Sequence, residues 1–174
     1  AAAYALAPHV VGDFKGVVLN NATSWPVVAE HTQLIVAIGG LARKNAQVTS
    51  GGVGRHTLRE GLTAAKANGC EFVSVSPLAT DMMPELDAEW LGARPNTDTA
   101  LMLGLAHTLL AEGLHDRAFL DRYTTGWDRF EPYLTGASDG QPKDADWAAG
   151  VTGLDADRIR DLARKMAAKR TLIT

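Results

Sequence analysis

The chain has 174 residues, 46% of them hydrophobic, and 17 Lys plus Arg against 20 Asp plus Glu give a formal net charge of −3 at pH 7. That size and composition suit one folded domain with a real core, and without a long basic block a nucleic-acid partner is not expected. The single cysteine, Cys70, excludes an internal disulfide framework and a multi-thiolate metal site built from this chain alone; no apolar run approaches the ~18 residues of a membrane span.

The opening AAAYALAPHVVG lacks the charged flank and cleavage pattern of a signal peptide and reads as the middle of a longer polypeptide. Residues 1–33 are therefore expected to be an incomplete lead-in and 34–174 an α/β domain. LIVAIGG is a short apolar run stopped by two glycines, which predicts a strand over 34–38 buried on both faces. In HTLREGLTAAKANG, Leu58, Leu62 and Ala65 fall at helical spacing, with Asn68 and Gly69 as the stop. EFVSVSP predicts a second strand running into Pro77, and EWLGARP a third, less regular one.

A helix from Asp98 to about Ala111 is apolar on nearly every side, so it should pack on the sheet and be covered by something else. HDRAFLDRY, WDRFEPYL and DADWAAG read as short helices whose aromatic residues should be core. SDGQPKD, 138–144, reads as an exposed loop. A last amphipathic helix, Asp155 to Ala168, should bury Ile159, Leu162, Ala163 and Met166, and TLIT begins another strand. Strands alternating with helices predict a parallel sheet with right-handed crossovers, flanked by helices: an α/β, Rossmann-like, dinucleotide-binding architecture.

In such a sheet the ligand crevice lies beyond the carboxyl ends of the strands. Three segments follow strands: GGLARKNAQ, SPLATD and RPNTD. Gly39 and Gly40 sit at a strand end where backbone amides can approach an anion, and Lys44 with Asn45 and Gln47 forms a cluster suited to gripping a charged cofactor. Asn96 or Thr97 can cap the following helix, with Asp98 favoured in its first turn; equally, Asn96 and Asp98 can bind a purine base or ribose. An ordinary NAD site wants an acidic residue after strand two, but that position is Ser76.

GGVG at 51–54 neither follows a strand nor opens a G-x-G-x-x-G pattern and reads as a flexible loop. His9, His31, His56, His107 and His115 show no metal-ligand spacing, and His107 should find a partner in the core. No G-x-S-x-G elbow is present. Asp81, Glu85 and Asp87 read as a solvated acidic face, and Cys70 as a small buried residue.

PHVVG, WPVVAEHT, KNAQVTSGG, VSPLATD, RPNTDTALMLGLAHTLL, HDRAFLDRYTTGWDRFEPYLTG and DADWAAGVTG run in the order found in a known family. The chain resembles the molybdenum oxidoreductases that carry a bis(molybdopterin guanine dinucleotide) cofactor, in particular the dimethyl sulfoxide, trimethylamine N-oxide and biotin sulfoxide reductases. The resemblance implies one of the α/β domains that hold this cofactor, in a bacterial enzyme reducing S-oxides or N-oxides with electrons from a donor protein. It implies that Lys44 and Gln47 approach the pterin, that Ser76, Pro77 and Thr80 lie near the nucleotide, and that Asn96 and Asp98 read the guanosine.

Two departures stand out. Ser76 replaces the Asp that many members carry before the proline, and Leu41-Ala42 replaces an Asn-Pro or Asp-Pro. The molybdenum ligand, often serine, is expected outside this chain, so the chain alone should not turn over substrate. The resemblance is compatible with a cytoplasmic or a periplasmic enzyme. Two other readings stay open from sequence: the nucleotide-binding middle domain of a thiamin-diphosphate enzyme, and a non-catalytic interaction domain docking through the aromatic-rich helices of 117–149.

Overall fold

The computed structural model describes residues 2–10, 12, 16, 23–42 and 56–174. Its elements are α1 (Ala2–Val10), α2 (Trp25–His31), β1 (Leu34–Ile38), α3 (Leu58–Ala67), β2 (Glu71–Val75), β3 (Glu89–Leu91), α4 (Asp98–Ala111), α5 (Arg117–Tyr123), α6 (Trp127–Leu134), α7 (Ala145–Thr152), α8 (Ala156–Ala168) and β4 (Thr171–Ile173). Two single turns of 3-10 helix, Ala79–Asp81 and Pro84–Leu86, lie between β2 and β3.

The four strands form one parallel sheet in the order β3-β2-β1-β4, the order of the first four strands of a doubly wound dinucleotide-binding sheet. β1 is central, with Val36 opposite Val73 of β2 and Ile173 of β4. Its apolar run is explained by burial on both faces, since Leu34, Ile35, Val36 and Ala37 are all at most 1% exposed.

The two-residue period of a strand divides those side chains between two layers. Leu34, Val36, Val73, Val75 and Leu91 pack with Leu101, Leu105, Ala148, Ile159 and Leu162 of α4, α7 and α8. Ile35, Ala37 and Phe72 face the other way, onto Leu62 and Ala65 of α3, Val28 and Ala29 of α2, and Met82, Met83 and Leu86. Each fully buried Leu or Ile in these layers is worth roughly 1.5–3 kcal/mol of transfer free energy.

Helix ends follow local chemistry. The carboxylates of Asp116, Asp144 and Asp155 accept amide hydrogen bonds at the starts of α5, α7 and α8, and Asn68 and Gly69, the latter at φ +86°, end α3. The last helix buries Ile159, Leu162 and Ala163 as its spacing requires, while Met166 is only half-buried.

Several expectations need correction. α4 packs against α7 and α8 and touches α6, but Met102 is 46% exposed. The aromatic residues of α5 and α6 are not core: α5 buries no residue, α6 buries only Leu134, and Phe119, Tyr123 and Tyr133 are exposed. The loop over 138–144 is exposed except for Lys143, which is buried, and Asp144, which is half-buried. Its ammonium pairs with Asp139 at 2.7 Å and lies 4.4 Å from the centre of the Tyr133 ring. A cation is tolerated there because an opposite charge and an aromatic face compensate its lost hydration. His107 is half-buried and lines a polar depression with Glu112, Asp144 and Arg160 instead of joining the core.

Candidate functional site

Because all four strands are parallel, the segments following β1, β2 and β3 leave from one edge of the sheet. Gly39 closes the end of β1 against its neighbour, its amide donating to the Val75 carbonyl at 2.8 Å. Its φ is +99°, and a methyl group there would touch nothing within 4 Å, so the space beside it is open. Gly40, at φ +81°, is different. A Cβ at Gly40 would lie 2.3 Å from the Asp81 carbonyl oxygen, and the Leu41 amide donates to that same oxygen at 2.7 Å. The close approach that Gly40 permits is therefore by the protein's own chain, which stitches the segment after β1 to the segment after β2.

Ser76 is 1% exposed and turned inward. Its hydroxyl donates to the Asp81 carboxylate at 2.6 Å and accepts from the Leu78 amide at 3.3 Å. Its amide donates to the Leu91 carbonyl, and its carbonyl accepts from the Trp90 indole at 2.8 Å. Pro77 and Thr80, by contrast, are exposed on the same turn. The polar group that sequence reasoning places toward a ligand instead shapes the turn carrying Pro77 and Thr80.

The segment after β3 is a built turn. Pro95 and Asn96 are its central residues, and Asn96 has φ +62°, matching a type II turn, where proline fixes the first central position and glycine or asparagine fits the left-handed second. The Thr97 hydroxyl donates back to the Arg94 carbonyl at 2.6 Å. Thr97 occupies the N-cap of α4 without a side-chain cap bond, so the expected capping by its hydroxyl is not what it does. Asp98 opens the helix. Among the described residues neither the Asn96 amide nor the Asp98 carboxylate has a side-chain hydrogen-bond partner.

The structure thus brings Gly39, Gly40, Ser76, Pro77, Thr80, Asn96 and Asp98 to one edge. Lys44, Gln47 and the GGVG segment lie outside the described residues. Sequence reasoning left Asp81 as a solvated carboxylate, although its backbone and side chain hold two segments together. It also missed Arg94, whose amide donates to the Thr152 carbonyl and whose guanidinium donates to the Gly150 and Val151 carbonyls, 2.9 and 3.2 Å away. Nothing local in RPNTD signals a partner 56 residues on.

Among the described residues no group of three or more His, Cys, Asp or Glu is arranged to hold a metal ion, and no helix is long and apolar enough to cross a membrane. Cys70 is buried, and burial pushes its thiol above the usual range.

Comparison with known proteins adds the following. A chain 43% identical over 173 residues is the dimethyl sulfoxide/trimethylamine N-oxide reductase of Cereibacter sphaeroides; the match covers 99% of this chain and 21% of that protein. The biotin sulfoxide reductase of the same organism is 41% identical over 166 residues, covering 95% and 22%. Trimethylamine-N-oxide reductase 1 of Escherichia coli strain K12 is 41% identical over 179 residues, covering 99% and 21%. The chain therefore spans about a fifth of the length of these curated relatives. Among solved structures, acetylene hydratase from Pelobacter acetylenicus shares the fold, with a TM-score of 0.64 at 24% identity over 83% of this chain and 18% of that one. The family model described as molybdopterin oxidoreductase matches residues 3–169: the chain belongs to the molybdopterin oxidoreductase family.

Proposed function

We propose that this chain is a cofactor-holding domain of a molybdenum enzyme that reduces S-oxides or N-oxides, and that its carboxyl edge receives a guanosine end of bis(molybdopterin guanine dinucleotide). The observation that carries the site is the pair Asn96 and Asp98. Both are fixed in backbone by a proline turn and a helix start, and among the described residues both side chains are left without a hydrogen-bond partner. A guanine ring offers donors on its N1 and N2 edge beside an O6 acceptor, which an Asp carboxylate and an Asn amide can answer together. Adenine presents no such pair of donors, so the chemistry favours guanine.

The other residues have complementary parts. Gly39, whose own amide is spent on Val75, leaves open space at the end of the central strand in which a phosphate could lie. Pro77 and Thr80 stand exposed on the neighbouring turn, positioned to flank the nucleotide. Ser76 does not contact it; it holds the turn through Asp81. Lys44 and Gln47 would approach the pterin, the lysine placing positive charge near an anionic group. The cofactor supplies two-electron oxygen-atom transfer, and this chain supplies orientation and electrostatics. The molybdenum ligand, the substrate funnel and the surface for an electron-donor protein belong to other parts of the polypeptide.

The test uses the full-length polypeptide expressed with sufficient molybdate. Metal analysis and acid release of nucleotide should give molybdenum and guanosine monophosphate, two nucleotides per metal, with methyl viologen-linked reduction of dimethyl sulfoxide or trimethylamine N-oxide. Molybdenum-free protein under those conditions would overturn the reading. At the site, Asn96→Gly keeps the left-handed turn while deleting the amide, and Asp98→Asn keeps size while removing the charge. Each should lower nucleotide retention by roughly tenfold, the worth of one hydrogen bond to a charged or buried polar group.

A further inference from the structure

The loop that carries Asn96 and Asp98 does not hold itself. Its internal bonds are short-range: the Ala93 amide to the Leu91 carbonyl at 2.9 Å, and the Thr97 hydroxyl to the Arg94 carbonyl. Ala93 is buried in the core, and beyond it the hydrogen bonds that tie the loop to the rest of the domain run through Arg94. The backbone amide of Arg94 donates to Thr152, and one guanidinium nitrogen is shared between the Gly150 and Val151 carbonyls. These are the last carbonyls of α7, which have no partner within their own helix and carry its negative dipole end, so a cation is favoured there.

The receiving end is shaped for the arginine. Gly153 ends α7 at φ +76°, and a Cβ there would come within 3.1 Å of the Arg94 Nε and 3.3 Å of its Cζ. A side chain at 153 would press into the guanidinium, and glycine leaves that space to it. The anchor itself is rigid: the Asp144 carboxylate caps the start of α7, and Ala145 and Ala148 are buried against α4 and the sheet. Arg94 is exposed, so its bonds add little to burial of the core. Their consequence falls on the loop.

We propose that Arg94 is a positioning residue: by gripping the end of α7 it sets the turn that presents Asn96 and Asp98 to the guanosine. This rests on the assignment of that pair to the nucleotide. The fixed turn spares the ligand the entropic cost of ordering the loop, so the grip raises affinity without touching the ligand.

The experiment compares Arg94→Met, Arg94→Lys and Gly153→Ala with Asn96→Gly and Asp98→Asn in the full-length polypeptide. Two quantities are read: amide hydrogen exchange over 94–99 and over 100–108 in cofactor-free protein, and guanine nucleotide retained per polypeptide after purification. Arg94→Met keeps the backbone bond to Thr152 and the side-chain stem while deleting the charged bonds. It should speed exchange over 94–99 by about tenfold, leave 100–108 unchanged, and lower nucleotide retention by a similar factor. Gly153→Ala should act in the same direction without altering charge, with the strain of a methyl group at φ +76° added, and Arg94→Lys should recover part of the Arg94→Met effects.

Unchanged loop exchange, or unchanged retention in Arg94→Met and Gly153→Ala while Asn96→Gly and Asp98→Asn lose nucleotide, overturns the positioning role and leaves the guanosine assignment standing. Exchange rising equally over 94–99 and 100–108 also overturns it, because the arginine then serves general stability. Full retention in Asn96→Gly and Asp98→Asn sinks the guanosine assignment itself, and the presenting role with it.

Discussion

At the amino edge of the sheet, Glu71 and Glu89 stand at the first positions of β2 and β3 and are tied to α8, Glu71 by Lys165 and Lys169, Glu89 by Arg158 and Lys165. Beside them the backbone of Arg170 bonds reciprocally with Gln33. At the carboxyl edge the amides of Gly39, Leu41, Ser76 and Arg94 are engaged, while among the described residues the side chains of Asn96 and Asp98 have no partner. One edge matches its charges within the chain. The other fixes its turns by contacts within the chain and leaves the Asn96 and Asp98 side chains without a partner among the described residues. The difference separates polar groups that hold the fold from polar groups that a ligand can use, which composition alone cannot do.

The strongest way to break this contrast is Gly40→Ala. The added methyl would lie 2.3 Å from the Asp81 carbonyl oxygen in a residue at φ +81°, combining backbone strain with a clash against main chain that cannot rotate away. A loss of about 2–4 kcal/mol is expected in urea unfolding, with the segments after β1 and β2 separating. A loss below about 1 kcal/mol would show that the two segments are not stitched as described. Ser76→Ala is next. It leaves the Asp81 carboxylate without its 2.6 Å donor, at a cost of about 1–2 kcal/mol, whereas Thr80→Ala on the exposed side of the same turn should stay within about 0.5 kcal/mol. Equal losses in the two variants would contradict the inward role of Ser76.

Much of the architecture is legible in the sequence, and the reason is periodicity. LIVAI and the spacing of Ile159, Leu162 and Ala163 record burial directly. The edge at which the candidate residues gather is legible too, because parallel strands send their following segments the same way. What periodicity cannot carry is long-range pairing. Nothing in the sequence shows that Asp81 lies against Gly40, or that Arg94 grips the end of α7. Ser76 misleads because a hydroxyl at a strand end has no way to announce whether it faces solvent or its own turn. The aromatic residues of α5 and α6 mislead oppositely: helical spacing implies core, but these helices leave Phe119 and Tyr123 exposed.

Each carboxylate at the amino edge is expected to contribute little, and its pH dependence is the sharper observable. The Lys169 ammonium bonded to Glu71 holds that carboxyl below the usual range. Burial alone would raise Glu89, but hydrogen bonds from Arg158 and Lys165 outweigh it and depress that carboxyl as well. A carboxyl depressed by folding stabilises the native state at pH values above its ordinary ~4.3 and loses that contribution as the pH falls through its lower native value. Both side chains are more than a third exposed, at 49% and 42%, so solvent screens the pairs and each is worth no more than about 1 kcal/mol. Glu71→Gln with Glu89→Gln should therefore lower stability by at most ~2 kcal/mol near neutral pH. The gap to the parent should narrow steadily as acid protonates the native carboxylates, and added salt should shrink it at neutral pH. A gap that is constant from neutral pH down into acid would mean that the carboxylate charges do not hold this edge, and the contrast between paired and unpaired edges would then rest on backbone geometry alone.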